Sequence, residues 1–218
     1  MGLSVIVPSK TDANVVRCAE AVRKHEPGAR IIVVDDGLKL DWLPRPDLMP
    51  AIGIRGAKPF VFARNCNLGI VAAGSDDVAL LNDDALLESP GGFSLLQQCA
   101  AEHQEFGIIG ATTNVTGQRL QWRKDVGLRE VPSIAFVCVL IPRRTIDLLG
   151  MLDERYCLGY GCEDADYCEA AKRAGLKIGV HDGCFVDHAS LHSSFRGEPH
   201  SCGDFSRNLA LFNQKWGL

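Results

Sequence analysis

Acidic side chains gather at three places in this chain where they could do chemistry. Val78-Ala79-Leu80-Leu81 runs straight into Asn82-Asp83-Asp84. Val33-Val34 runs into Asp35-Asp36, and much later Glu163, Asp164 and Asp166 crowd together after Gly161-Cys162. A fourth polar group, His188 with its neighbours, also falls at the end of an element. Adjacent carboxylates repel each other unless something positive sits between or beside them. A divalent cation carried on a phosphate ligand meets that need, because Mg²⁺ often takes one or two carboxylates plus substrate phosphates. The competing reading of 82–84 is a polar turn, which Asn and Asp favour for local backbone reasons. The competing reading of 163–166 is helix electrostatics, since acids in a first turn complement the macrodipole.

These groups need elements to hold them. Leu3 to Val7 is a short apolar run ended by Pro8 and Ser9, which predicts a buried strand. Asp12 or Asn14 can cap a helix carrying Val15, Val16, Ala19 and Val22, stopped by Pro27-Gly28. Arg30 to Val34 is a second β-rich run, so strand, helix and strand open a doubly wound sheet. The four apolar residues before Asn82 suit a strand covered on both faces, and open α/β sheets bind ligands at the carboxyl ends of such strands. Residues 38–50 read as a loop and Ala51 to Arg55 as a short strand. Phe62 to Ile70 reads as a helix with Arg64 and Asn67 on one side. Further on, the pattern predicts a helix from Pro90 through Ala100 and strands at Phe106 to Ala111, Ser133 to Ile141, Lys177 to Val180 and Cys184 to Asp187. Helices are expected at Pro142 to Leu149, from Glu163 to a stop at Gly175, and from Phe205 to Trp216. Residues 112–132 read as irregular, Gly159-Tyr160-Gly161 as a flexible turn, and 188–203 as a polar loop.

Bulk properties narrow the classes. The chain has 218 residues, 46% hydrophobic and 23% charged, as expected of one globular α/β domain. A net charge of −4 gives no general attraction to nucleic acid or anionic membranes. The nine cysteines are scattered without a C-x-x-C pair, which excludes a zinc ribbon and suits reduced thiols in a cytoplasmic protein. The N-terminus lacks a basic region and a long apolar core, so no signal peptide is expected. No run reaches the ~18 apolar residues of a membrane span. Neither G-x-G-x-x-G after the first strand nor G-x-x-x-x-G-K-[ST] occurs, which removes the main support for dinucleotide and P-loop readings.

Five motifs then occur in one register: Ser4-Val5-Ile6-Val7-Pro8-Ser9, Val33-Val34-Asp35-Asp36-Gly37, Ala63-Arg64-Asn65-Cys66-Asn67-Leu68-Gly69, Leu81-Asn82-Asp83-Asp84 and Gly161-Cys162-Glu163-Asp164-Ala165-Asp166. With Phe136 to Arg143, Gly150 and Leu152-Asp153-Glu154, they make the chain resemble a family 2 glycosyltransferase of the GT-A fold over about residues 3–192. The resemblance implies an α/β fold with a Rossmann-like, mostly parallel central sheet flanked by helices and a small antiparallel excursion. It implies a single domain over 1–218, with a nucleotide-binding half at about 1–85 and an acceptor-binding and catalytic half at about 86–218.

The same resemblance assigns roles. Pro8 and Ser9 would lie against the nucleoside of a nucleotide-sugar. Asp35, or else Asp36, would accept a hydrogen bond from base or ribose. Arg64 would add charge beside the diphosphate, with Asn67 on the same helix face. Asn82-Asp83-Asp84 sits at the D-x-D position with Asn replacing the first acid, which makes Asp84 the direct ligand of Mn²⁺ or Mg²⁺ and turns Asp83 toward sugar hydroxyls or water. His188, with His192 as competitor, would be a second ligand, since neutral imidazole binds Mn²⁺. Asp164 would take the proton of the acceptor hydroxyl in an inverting displacement, with Glu163 as the alternative base. A UDP-sugar is the favoured donor, with GDP- and dTDP-sugars as alternatives. The acceptor is left open among a saccharide, a lipid-linked sugar, a protein and a modified nucleic-acid base. The shortness of the chain argues against processive polysaccharide synthesis. As a further expectation, arginines of 112–132, Arg123 and Arg129 among them, meet an anionic acceptor. A nucleotidyltransferase on a related sheet and a non-catalytic nucleotide-sugar-binding module are the competing functions.

Overall fold

The computed structural model describes residues 2–39, 51–116, 118–156, 161–193 and 205–218. Its strands are β1 (Leu3–Ser9), β2 (Arg30–Asp35), β3 (Ala51–Arg55), β4 (Asp77–Leu81), β5 (Leu86–Leu87), β6 (Phe106–Thr113), β7 (Leu128–Val131), β8 (Cys138–Ile141) and β9 (Lys177–Asp187). Its helices are α1 (Asp12–His25), α2 (Phe62–Ala73), α3 (Gly92–Glu102), α4 (Arg143–Leu149), α5 (Glu163–Arg173) and α6 (Phe205–Trp216). The strands form one mixed sheet in the order β3-β2-β1-β4-β8-β6-β9-β5, with β7 paired to β9.

The first half is wound as its alternation dictates. β1, β2, β3 and β4 are mutually parallel. Successive residues face opposite sides, so Val5 and Val7 join one buried cluster with Val15, Cys18 and Val22 of α1 and Phe93 and Leu96 of α3. Ile6 joins the other, with Ala63, Cys66 and Ile70 of α2 and Tyr167, Cys168 and Ala171 of α5. Both faces of the sheet are therefore covered, as a parallel sheet requires. α2 lies close on β1: a Cβ added at Gly69 would come within 2.3 Å of Ile6 Cγ2. The α/β expectation holds. The antiparallel part is larger than a small excursion, because β8 runs against both β4 and β6 in mid-sheet.

The second half departs from the pattern where side chains claim backbone groups. The strand expected from Ser133 begins only at Cys138. Before it, Gln121 accepts from Ala135 N–H at 2.8 Å and donates to Ala135 C=O at 3.0 Å, so this stretch is bonded to a side chain rather than to a ladder. The 112–132 segment is more ordered than expected. β6 runs on to Thr113, and β7 pairs antiparallel with β9. The two strands expected at 177–187 are one, with a register shift where Ala111 pairs His181 and Thr112 pairs Phe185. Such an insertion bends a strand without ending it. The helix expected from Pro90 starts at Gly92, after Gly91 in the left-handed region. Most of the 38–50 loop, Gly159-Tyr160 of the expected flexible turn, and most of the 188–203 loop lie outside the described residues.

Candidate active site

The carboxyl ends of β1, β2 and β4 lie side by side, and three of the sequence motifs end there. Ser9 closes β1 fully buried and donates its Oγ–H to Asp83 Oδ2 at 2.5 Å. Asp83 is thereby tied to the neighbouring strand. Asn82 N–H donates to Val137 C=O at 2.9 Å and Ala85 N–H to Asn82 C=O at 3.1 Å, so 82–85 forms a tight turn off β4. Below that turn Cys18 of α1 points its thiol at the carbonyls of Asn82 and Ala85. Burial, with Asp83 and Asp84 nearby, pushes that thiol far up, so it is inert packing.

Asp84 is nearly buried and faces His188, with Oδ1 to Nε2 at 3.1 Å. The other imidazole nitrogen, Nδ1, lies 2.7 Å from Val115 C=O. A carbonyl only accepts, so Nδ1 carries the hydrogen. In the neutral ring Nε2 then presents a lone pair toward a carboxylate oxygen. Two acceptors at this spacing can share a cation that sits beside both, and a ring nitrogen bonded to a backbone carbonyl is the usual support of a metal-ligating histidine. Asn114 completes this support: Oδ1 accepts from His188 N–H at 2.8 Å and Nδ2 donates to Asp187 at 2.7 Å. The donor set suits Mn²⁺ or Mg²⁺. Among the described residues no group of three His, Cys, Asp or Glu side chains forms a complete metal cage, so water and substrate phosphate would supply the other positions. His192, the other imidazole weighed, is exposed and contributes its carbonyl to Asn14.

The second acidic group reaches this place through residues 136–137. Asp164 Oδ1 accepts from Ala165 N–H at 2.7 Å, and the backbone N–H of Phe136 lies close enough to favour its charged form. Val137, next to Phe136, holds Asn82. Residues 136–137 therefore adjoin both the 82–84 turn and the start of α5. Burial raises the Asp164 carboxyl, while those amides hold it back. Burial and the charge of Asp164 push Glu163 higher, up to about 8.

The remaining residues named from sequence fall into two groups. Asp35 is half-buried, and its Oδ1 accepts from Gly37 and Leu38 N–H, both at 2.7 Å. Asp36 is buried, paired with Lys58 at 2.8 Å and approached by Asn65 Nδ2. Of the two, Asp35 is the accessible one. Pro8 is buried within β1 opposite Val34. Arg64 and Asn67 share a helix side as their spacing implies, and both bond Glu154. Asn67 also takes both Leu152 N–H and C=O, which pins the 152–154 segment to α2.

One expectation is corrected. Arg129 does not face an anionic acceptor. It is half-buried against Asp182 and donates to the carbonyls of Leu120 and Trp122. Asp182 also accepts from Lys124 and Val126 N–H, so the pair clamps its own loop. Sequence reasoning missed Asn114 and Gln121. Asn114 carried one signal, a polar side chain directly after an apolar strand. Gln121 carried none.

No protein-family model matches the chain. The uncharacterized protein y4gI of Sinorhizobium fredii (strain NBRC 101917 / NGR234) is 23% identical over 251 residues, covering 98% of this chain and 27% of that protein. The chain therefore spans about a quarter of the length of this relative. Among solved structures, the chain is similar to GalNAc-T7 with UDP, GalNAc and Mn²⁺, at a TM-score of 0.74 and 14% identity over 98% of this chain and 48% of that one. It is also similar to the mannosyltransferase PcManGT from Pyrobaculum calidifontis in complex with GDP-Man and Mn²⁺, at a TM-score of 0.69 and 14% identity over 89% of this chain and 58% of that one. The fold is that of the GT-A glycosyltransferases. Among the described residues no helix is long and apolar enough to cross a membrane.

Proposed function

We propose that this chain is a metal-dependent, inverting glycosyltransferase of family 2 type that uses a nucleoside-diphosphate sugar and acts in the cytoplasm. The observation that carries the reading is the approach of Asp84 to His188, whose Nδ1–H is committed to Val115. Both solved neighbours were obtained with Mn²⁺ and a nucleotide or nucleotide-sugar. A UDP-sugar is the favoured donor, with GDP- and dTDP-sugars as alternatives.

In this reading Asp84 and His188 hold Mn²⁺ or Mg²⁺, which when bound neutralises charge on the leaving diphosphate. Asp35 accepts a hydrogen bond from base or ribose, with Pro8 and Ser9 on the nucleoside side of β1. Asp83, fixed by Ser9, serves sugar hydroxyls or water beside Asn82. Arg64 adds positive charge beside the diphosphate on exchanging Glu154 for it, and Asn67 keeps α2 and the 152–154 segment in register. Asp164 takes the proton of an acceptor hydroxyl. The acceptor oxygen then bonds to the anomeric carbon from the face opposite the phosphate, the carbon–oxygen bond to phosphate breaks, and nucleoside diphosphate leaves. Asp164, whose carboxylate accepts from Ala165 N–H, is taken as the charged base, and Glu163, which burial and the charge of Asp164 push up to about 8, as its neighbour. The acceptor is a saccharide, a lipid-linked sugar, a protein or a modified nucleic-acid base.

A nucleotide-sugar screen by thermal denaturation, with and without Mn²⁺, tests this. A bound donor at a hundred times its Kd stabilises by about 2.7 kcal/mol. Stabilisation that needs both nucleotide and metal, followed by release of nucleoside diphosphate and a product of inverted anomeric configuration, is expected. Asp164→Asn should keep the binding and lose the release. Pyrophosphate release from a nucleoside triphosphate and a sugar phosphate would instead mark a nucleotidyltransferase. Binding without any sugar release would mark a binding module.

A further inference from the structure

The first turn of α5 carries three carboxylates, and the third has a different task. Asp166 is 3% exposed. It accepts from Tyr156 OH at 2.9 Å, Trp216 Nε1 at 2.8 Å and Lys215 Nζ at 2.8 Å. Lys215 also reaches Asp153 at 2.9 Å. Two of these partners belong to α6. The one buried residue of α6 is Asn208, which donates to Gly161 C=O at 3.0 Å. At the far end of α5, Arg173 lies over the Trp216 ring at 4.8 Å and donates to its carbonyl at 2.7 Å. With a single buried residue, α6 gains little from apolar burial. Its attachment is polar and aimed at both ends of α5, through charge-assisted bonds of the stronger kind.

The place it is fastened to is strained. Cys162, between Gly161 and Glu163, has φ of 80°, a left-handed conformation in a residue with a side chain. Such a residue costs of order 1–3 kcal/mol and persists only where its surroundings hold it. Asn208 holds the carbonyl just before it, and Asp166 holds the turn just after it.

We propose that α6 is a positioning element, with Asn208 and Asp166 as the residues through which it fixes the Gly161–Cys162 turn and so the placement of Glu163 and Asp164. The inference rests on the reading that Asp164 acts on the acceptor hydroxyl. Two measurements on the full chain test it. The first is amide hydrogen exchange over 161–166 in wild type, Asn208→Ala, Lys215→Met and Lys215→Arg. The second is transfer kinetics on the same proteins. Exchange at least tenfold faster in Asn208→Ala and Lys215→Met is expected. With it kcat should fall tenfold or more while donor KM stays within twofold, and Lys215→Arg, whose fork can still bridge Asp153 and Asp166, should recover most of both. Should Asn208→Ala not fold, Trp216→Phe, which removes the indole N–H bond to Asp166 and trims the ring beneath Arg173, carries the same test. Unchanged exchange at 161–166 overturns the proposal whatever the activity, as does unchanged kcat in a variant whose exchange has risen. A wild type without transfer on any nucleotide-sugar, yet with the exchange response, overturns the functional reading and leaves the hold of α6 on the turn supported.

Discussion

Asp84 Oδ1 and His188 Nε2 stand 3.1 Å apart although 104 positions separate them in sequence. Each is fixed from behind, Asp84 by the turn that Val137 secures and His188 by Val115 and Asn114. Their meeting point is a ready place for a cation. Asp84→Asn is expected to abolish Mn²⁺-dependent UDP binding in calorimetry. His188→Ala should weaken it while leaving the melting temperature without ligand nearly unchanged. Retention of full metal-dependent binding by Asp84→Asn would refute the ligand assignment.

Asn114 never reaches the meeting point, so its effect separates support from ligation. Removing such a partner typically costs 10–100-fold in metal affinity. Asn114→Ala should therefore raise the apparent Kd for Mn²⁺ by about that factor, with nucleotide affinity at saturating metal little changed. Equal loss at saturating Mn²⁺ would point to collapse of the loop instead.

Glu163 yields a pH prediction. Its folded carboxyl is raised to about 8, whereas an unfolded glutamate releases its proton near 4.3. Between those values the folded protein keeps a proton that the unfolded chain has lost, so stability falls as pH rises. The contribution is whole below the unfolded value and is lost as pH passes through the folded one. Between about pH 5 and about pH 9, wild-type Tm should therefore decline more than that of Glu163→Gln. Equal slopes for the two proteins would show that the carboxyl is not raised.

A fold prediction comes from α3, whose capping residue Gly91, just before the helix, offers no side-chain cap. Glu26 of α1 acts in its place, accepting from Phe93 and Ser94 N–H at 3.0 Å each and from Ser94 Oγ. Loss of a helix cap costs about 0.5–2 kcal/mol. Glu26→Ala should lower urea-unfolding stability by about 2 kcal/mol, at the upper end because the carboxylate is buried. Metal-dependent nucleotide binding should survive. Stability unchanged by this substitution would mean that water caps α3 equally well.

At Gly69 the expected damage is steric. Gly69→Ala places a methyl within 2.3 Å of Ile6 Cγ2, and overpacking of this kind costs about 1–3 kcal/mol. A melting temperature equal to wild type would show that α2 can lift off β1 freely.

Much of the first half was legible in the sequence by itself. Apolar runs at 3–7, 30–34 and 78–81, each ending in polar residues, determined parallel strands with acids at one sheet edge, because the signal is local and its period is that of a buried strand. Asp84 and Asp164 were legible for the same reason: each is displayed where an element starts or stops. What only the tertiary structure decided are the partners. That His188 rather than His192 lies against Asp84 depends on a loop whose course is set by Asn114 and Val115, just past the end of β6. Arg129 looked like a solvated cation until β7 placed it against Asp182, across a pairing between strands far apart in sequence. The strand expected at 133–137 did not form because Gln121 and Asn82 claim its backbone groups. Asp166 stands in the same acidic turn as Asp164, yet three donors from distant residues make it an anchor. Local periodicity encodes which residues end at the sheet edge. Which of them face substrate and which face each other is set by contacts between segments that sequence spacing does not relate.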